Sequence, residues 1–236
     1  MQRYFVKEKN NNNFILTDGD IHHIKKVMRY KNNDKIEIVY EKKVYLCNID
    51  NIDLLELSVI DSYKEDRELN IELTVAISLV QEQKFDLIIQ KLTELGVTSI
   101  IPLKTERSIV KIDSSKEERK KLRWENICKE ASEQSHRVTI PKIYNIMTMK
   151  ELLKNKKELN LICSLNDRTK PLEEYLNNNI KDVLFVIGPE GGFSPKEEEF
   201  LINNGFNGTT LGKRVLRVET AAIYIASIIN YIYKGW

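Results

Sequence analysis

The chain has 236 residues, 42% of them hydrophobic, and a formal net charge of +2. That length suits one large domain or two modest ones, and the near-balanced charge excludes a bulk polycation, so any nucleic-acid contact must come from local patches. No apolar run approaches the roughly 18 residues that span a bilayer, the opening MQRYFVKEKNNNN is not a targeting segment, and neither the cysteines (Cys47, Cys128, Cys163) nor the histidines (His22, His23, His136) have metal-ligand or disulfide-framework spacing, so the expectation is a cytoplasmic protein with no membrane and no metal.

In chain order, GDIHHIKKVMRY puts Ile21, Ile24, Val27 and Met28 at helical spacing, which predicts one short helix among early strands. KIEIVY, KVYLCNI and LLELSVI, separated by polar turns, then read as a small β-meander or barrel. The pattern changes across the charged stretch from Ser62 to Asn70. Beyond it, IELTVAISLV leads to a helix with Phe85, Ile88, Ile89, Leu92 and Leu95 on one stripe and Gly96 as its stop. VTSIIPL, a long helix from about Lys116 to Ser135, a strand near PKIYNI, a helix near MKELLK and the core strands LNLICSL and DVLFVIG follow. A final helix from about Glu219 to Tyr233 carries Ala221, Ile225, Ile228 and Ile232 on one face. Alternating strands and helices imply a mainly parallel sheet covered on both faces.

The stretch FVIGPEGGFSPKEEEF joins a strand to a helix, with Ser194 as N-cap, Pro195 at the first helical position and Glu197 as capping-box partner. Such a glycine-rich loop at a strand's carboxyl end suggests a ligand site, and a phosphate is the usual guest. Glu190, however, would repel a phosphate. A second segment, TLGKRVLRVETAAIYIAS, repeats the arrangement: a strand end, a turn at Gly212, the cations Lys213, Arg214 and Arg217, then Glu219 and Thr220 opening a helix. On the long helix, Arg123, Glu130, Gln134 and Arg137 share a face that reads as solvated salt-bridge surface or as an RNA contact.

Taken together, RYF (Arg3 to Phe5), HHIKKVMR, QKLTELGV, PLKTERS, EASEQSHRVTIP, IGPEGGFSPKE and LGKRVLRVETAA resemble, in order and over nearly the whole chain, the bacterial 16S ribosomal RNA uracil-N(3) methyltransferases of the SPOUT class. One departure is that VMRYKNND lacks the glycine often found there in the family, with asparagines taking the turn. The resemblance implies an α/β fold: a small PUA-like, RNA-binding β-barrel over residues 1–68 and a SPOUT methyltransferase domain over 69–236 with a C-terminal trefoil knot. It implies a homodimer, S-adenosylmethionine as cofactor, and 16S ribosomal RNA or the assembled small subunit as partner. Glu190 then makes sense, because that cofactor carries a cationic sulfonium and no phosphate.

Carried over residue by residue, the cofactor would meet Leu165; Ile187, Gly188, Pro189, Glu190, Gly191 and Gly192; and Leu211, Gly212, Arg214, Val215, Leu216 and Thr220. Methyl transfer to uracil nitrogen 3 requires that its proton leave, which is general-base work. Arg217 is the expected stabiliser of the uracil anion or RNA phosphate, and Glu219 the candidate base. The target edge must be unpaired or flipped, so RNA docking is expected at Arg3, Lys25, Lys26 and Arg29, joined by Arg107, Arg123, Gln134 and Arg137. Alternatives are a SPOUT enzyme with another RNA target, and a non-catalytic RNA-binding ribosome-assembly factor. A nucleotide-binding enzyme is disfavoured, since the sequence has neither a Walker lysine–serine/threonine pair nor GxGxxG spacing.

Overall fold

The computed structural model describes residues 1–10, 13–164, 169–177 and 179–233. They divide into two compact units, Met1–Glu68 with Ser132–Thr139, and Leu69–Ala131 with Ile140–Trp236. The sequence alone assigns Ser132–Thr139 to the second domain; packing assigns it to the first.

The first unit is built on a four-stranded sheet, β1 (Arg3–Phe5), β4 (Lys35–Tyr40), β5 (Lys43–Asn51) and β6 (Glu56–Tyr63), in that spatial order, with a hairpin of β2 (Lys9–Asn10) and β3 (Asn13–Phe14). Only β1 and β4 pair in parallel; β4–β5 and β5–β6 are antiparallel. Alternation along β4 and β5 sends Ile36, Ile38, Cys47 and Ile49 into a core with Tyr4, Val6, Ile24 and Leu57, onto which the hairpin folds Phe14. The helix predicted near residue 20 is α1 (Asp18–His22), capped by a Thr17–Asp20 capping box, and it continues as a π-helical turn, His23–Val27. The wider π turn rotates later side chains off the helical stripe. Ile24 is fully buried, whereas Val27 and Met28 face solvent.

Arg3 corrects an expectation. Its side chain is 0% exposed and its nitrogens reach Glu37 (2.8 Å), Glu65 (2.9 Å), and the carbonyl oxygens of His136 (2.6 Å) and Arg137 (3.2 Å). Arg137 is likewise buried and pairs with Glu68 at 2.5 Å. Glu133 accepts the backbone N–H of Phe5 at 3.2 Å. Neither arginine is a surface cation open to RNA; both satisfy buried carboxylates and main-chain acceptors, and these bonds tie Ser132–Thr139 to the β-rich unit.

The second unit is a seven-stranded parallel sheet. In chain order its strands are β7 (Glu72–Ser78), β8 (Ser99–Leu103), β9 (Lys142–Ile143), β10 (Leu159–Cys163), β11 (Lys170–Pro171), β12 (Asp182–Ile187) and β13 (Asn207–Thr210). In space they lie β11-β13-β10-β12-β7-β8-β9. The helices are α2 (Glu82–Glu94), α3 (Ser114–Gln134), α4 (Met149–Leu152), α5 (Pro195–Asn203) and α6 (Val218–Tyr233).

Period-two alternation splits each central strand between two cores. Leu73, Val75, Ile77, Val183, Phe185 and Ile187 pack with Phe85, Ile88, Ile89, Trp124, Ala222 and Ile225, while Ala76, Leu184 and Val186 pack with Leu152, Leu201 and Phe206. Burial of each large aliphatic side chain contributes roughly 1.5–3 kcal/mol. Gly96, at φ +90, ends the α2 run in the left-handed region where a Cβ is costly. On α6 the buried stripe is Val218, Ala221, Ala222, Ile225, Ala226, Ile229 and Tyr233, so Ile232, expected inside, is 39% exposed.

Candidate functional site

Strands β13, β10 and β12 are adjacent and parallel, so their carboxyl ends emerge side by side. A cavity of about 420 Å³ opens there, within the usual range for small-molecule sites. The end of β10 contributes Cys163 and Ser164; β12 contributes Ile187 and the loop Gly188 to Phe193; β13 contributes Thr209 and the loop running from Leu211 to Arg217. Arg107, Glu198, Val218 and Ala221 complete the lining.

Local sequence explains each loop. Gly192 donates to the Pro189 carbonyl at 2.8 Å and has φ +66, a turn only glycine adopts without strain. A Cβ at Gly188 would stand 3.1 Å from the Phe193 ring, so its absence lets that ring pack. Ser194 and Glu197 form the predicted capping box with Pro195 in the first turn of α5. In the last loop, Gly212 has φ +113, and its N–H donates to the Thr210 hydroxyl at 3.3 Å. A Cβ at Gly192 or Gly212 would meet nothing within 4 Å, so both turns border open space.

Charges around the loops are specifically partnered. Glu190 pairs with Lys84 of α2 at 2.9 Å. The Lys84 hydrogen bond holds the Glu190 carboxyl below its ordinary pKa, and that same bond raises the Lys84 ammonium. The guanidinium of Arg107 donates to the carbonyls of Gly191 (2.9 Å) and Phe193 (3.0 Å), and the Glu106 N–H donates to Glu197 at 2.7 Å. The Ser164 hydroxyl donates to Glu198. At the start of α6, Glu219 Oε2 is buried with no hydrogen-bond partner among the described residues, and Arg217 is exposed on the cavity.

The cavity gathers Ile187, Gly188, Pro189, Glu190, Gly191, Gly192, Leu211, Gly212, Arg214, Val215 and Leu216 from the sequence-based cofactor set. Thr220 is exposed and outside the lining, and Leu165 lies outside the described residues. Cys163, Ser164, Phe193, Glu198 and Thr209 line it without having been singled out. Strand-end position marks Cys163, Ser164 and Thr209 in the sequence, whereas Phe193 lies in the loop after β12 and Glu198 on α5. Of the cations expected at RNA, Lys26 and Arg29 are exposed, while Lys25 donates to the Asp53 carbonyl at 2.8 Å. Arg123 is held by Asp86 at 2.6 Å, and Gln134 by Gln2 at 3.3 Å.

Residues 67–230 match the family described as RNA methyltransferase domain, and residues 16–60 match RNA methyltransferase PUA domain. The ribosomal RNA small subunit methyltransferase E of Bacillus subtilis is 34% identical over 98% of this chain and 96% of its own length. The protein of that name from Mesomycoplasma hyopneumoniae is 36% identical over 95% of this chain and 97% of its own. Among solved structures, ribosomal RNA small subunit methyltransferase E from Neisseria gonorrhoeae bound to S-adenosylmethionine superimposes with a TM-score of 0.88 at 29% identity, covering 99% of this chain and 98% of that one. A Legionella pneumophila structure with bound S-adenosylmethionine reaches a TM-score of 0.90 at 29% identity, covering 98% and 97%. With both of its units matched and its full length shared, the chain belongs to the ribosomal RNA small subunit methyltransferase E family of SPOUT methyltransferases.

Proposed function

We propose that this protein methylates ring nitrogen 3 of one uridine in 16S ribosomal RNA, with S-adenosylmethionine as methyl donor. The observation that carries the reading is the cavity at the joined carboxyl ends of β10, β12 and β13, framed by both glycine turns. The names of the full-length relatives supply the RNA class, and the bound ligand of two structural neighbours supplies the cofactor.

The residues fit that cofactor. Ile187, Leu211, Leu216 and Val218 offer apolar contact for an adenine, and the open glycine turns let backbone groups approach a nucleoside closely. Glu198, on the cavity wall, is an anionic counterpart for a cationic ligand. Ile187 to Gly192 and Leu211 to Leu216 would hold it, with Leu165 and Thr220 kept in the proposal from the family resemblance. The cofactor supplies an electrophilic methyl on sulfur.

What the chain must supply is a nucleophile free of its proton and held in line. Glu219, which adjoins the cavity-lining Val218 but is not itself part of the lining, takes the nitrogen 3 proton: its buried Oε2 is unpartnered among the described residues and so keeps an acceptor site. Arg217 offsets the negative charge that develops on the uracil as its N–H bond breaks, until the new nitrogen–carbon bond consumes that charge. Lys25, Lys26 and Arg29, with Arg123 and Gln134, engage RNA through phosphate and base edges. Residues 1–68 are the docking domain and 69–236 the catalytic one, working as a cytoplasmic homodimer on naked 16S RNA or the assembled small subunit. A trefoil knot is supported by the strand order, in which β12 enters between β7 and β10, and β13 between β10 and β11.

Mass spectrometry of 16S RNA from cells lacking the gene tests the target; retention of the 3-methyluridine would exclude it. Calorimetry tests the cofactor, and no heat with millimolar S-adenosylmethionine would defeat the enzymatic reading in favour of an RNA-binding assembly factor.

A further inference from the structure

We propose that Lys84, outside the cavity, and Arg107, on its wall, are positioning residues for the cofactor loop, gripping it so that it is preformed before the cofactor arrives. The inference rests on the function proposed above. It also assigns Glu190, whose partner is Lys84 rather than the ligand, and it takes Arg107 from the RNA-contact set.

The grip acts on nearly consecutive residues of one loop. Lys84, near the start of α2, holds the Glu190 carboxylate at 2.9 Å. Arg107, following β8, holds the carbonyls of Gly191 and Phe193 at 2.9 and 3.0 Å, with its aliphatic stem 3.8 Å from where a Gly191 Cβ would be. The neighbouring Glu106 N–H reaches Glu197, which also closes the capping box of α5. Such anchoring is needed because Gly191 and Gly192 leave the loop few internal constraints, and an unanchored loop loses entropy when a ligand orders it.

The test is a charge exchange measured by steady-state methyl transfer to 16S RNA and by calorimetry with S-adenosylmethionine. Lys84→Glu places like charges face to face and is expected to raise the KM for the cofactor about five- to tenfold with kcat within about twofold, and Glu190→Lys alone to do the same. The double variant, Lys84→Glu with Glu190→Lys, restores KM to within about threefold of the parent. Arg107→Ala, which removes two charge-assisted bonds, raises it roughly tenfold or more, and thermal unfolding of all variants stays close to the parent. If the double variant is as impaired as either single one, Glu190 meets the cofactor itself and the Lys84 assignment fails. If Arg107→Ala leaves the cofactor KM unchanged while weakening RNA binding, the Arg107 assignment fails. Absence of cofactor binding by the parent protein would instead overturn the methyltransferase reading, and this inference with it.

Discussion

Arg3 and Glu37 form an ion pair at 2.8 Å in which the arginine side chain is 0% and the glutamate 9% exposed. Glu37 also accepts from the Tyr63 hydroxyl at 2.9 Å, so its charge is fully absorbed by neighbours. An arginine third from the start of a chain reads as a surface cation, yet here it closes the β-rich unit. Burying two charges costs several kcal/mol per ion, and only close, saturated partnering offsets it.

Removing one member therefore exposes the whole desolvation cost. Arg3→Ala strands the buried Glu37 without its arginine, while Glu65 keeps Arg67 at 2.9 Å, and is expected to destabilise the β-rich unit by roughly 3–5 kcal/mol. Urea unfolding followed by circular dichroism measures it; a loss below about 1 kcal/mol, the scale of an exposed pair, would contradict this account.

Gly212 separates conformational from steric effects. A Cβ there meets nothing within 4 Å, but the residue's φ is +113, which a side-chain-bearing residue adopts only at a cost of about 1–3 kcal/mol. Gly212→Ala should move the last loop, raising the cofactor KM several-fold while the sheet stays folded. Equal cofactor affinity in calorimetry would show that the turn does not shape the site.

Arg217 and Glu219 should act on turnover rather than on cofactor binding. Arg217→Ala is expected to lower kcat by about 10²–10³, and Glu219→Gln by about 10²–10⁴. Single-turnover methyl transfer with saturating cofactor is the measurement. Unchanged turnover and RNA affinity in Arg217→Ala would remove that residue from the mechanism.

The Lys84–Glu190 pair gives a pH dependence of known sign. The folded Glu190 carboxyl titrates below its ordinary 4.5 because the Lys84 hydrogen bond favours the charged form. Its contribution is complete above pH 4.5 and disappears as pH falls through the lowered folded value. Both side chains are over a third exposed, so solvent screening keeps the effect small. Cofactor affinity should be flat from neutral pH down to about 4.5 and weaken below that, with the slope absent in Glu190→Gln.

The sequence by itself determined the order of strands and helices, the boundary near residue 68 and the two glycine turns, because periodicity, capping and turn chemistry are local. Ser194, Pro195 and Glu197 are spaced by the geometry of one helical turn, and the capping box forms as that spacing requires. The glycine turn at Gly188 to Gly192 was legible for the same reason. Only the tertiary structure decided where charges separated along the chain would meet: Arg3 with Glu37 and Glu65, Arg137 with Glu68, Lys84 with Glu190, Arg107 with the loop carbonyls. Likewise, it moved Ser132–Thr139 to the β-rich unit. A long-range ion pair leaves no period in the sequence, since any lysine or arginine on a polar face looks alike until packing decides which one leaves water and which partner then satisfies it.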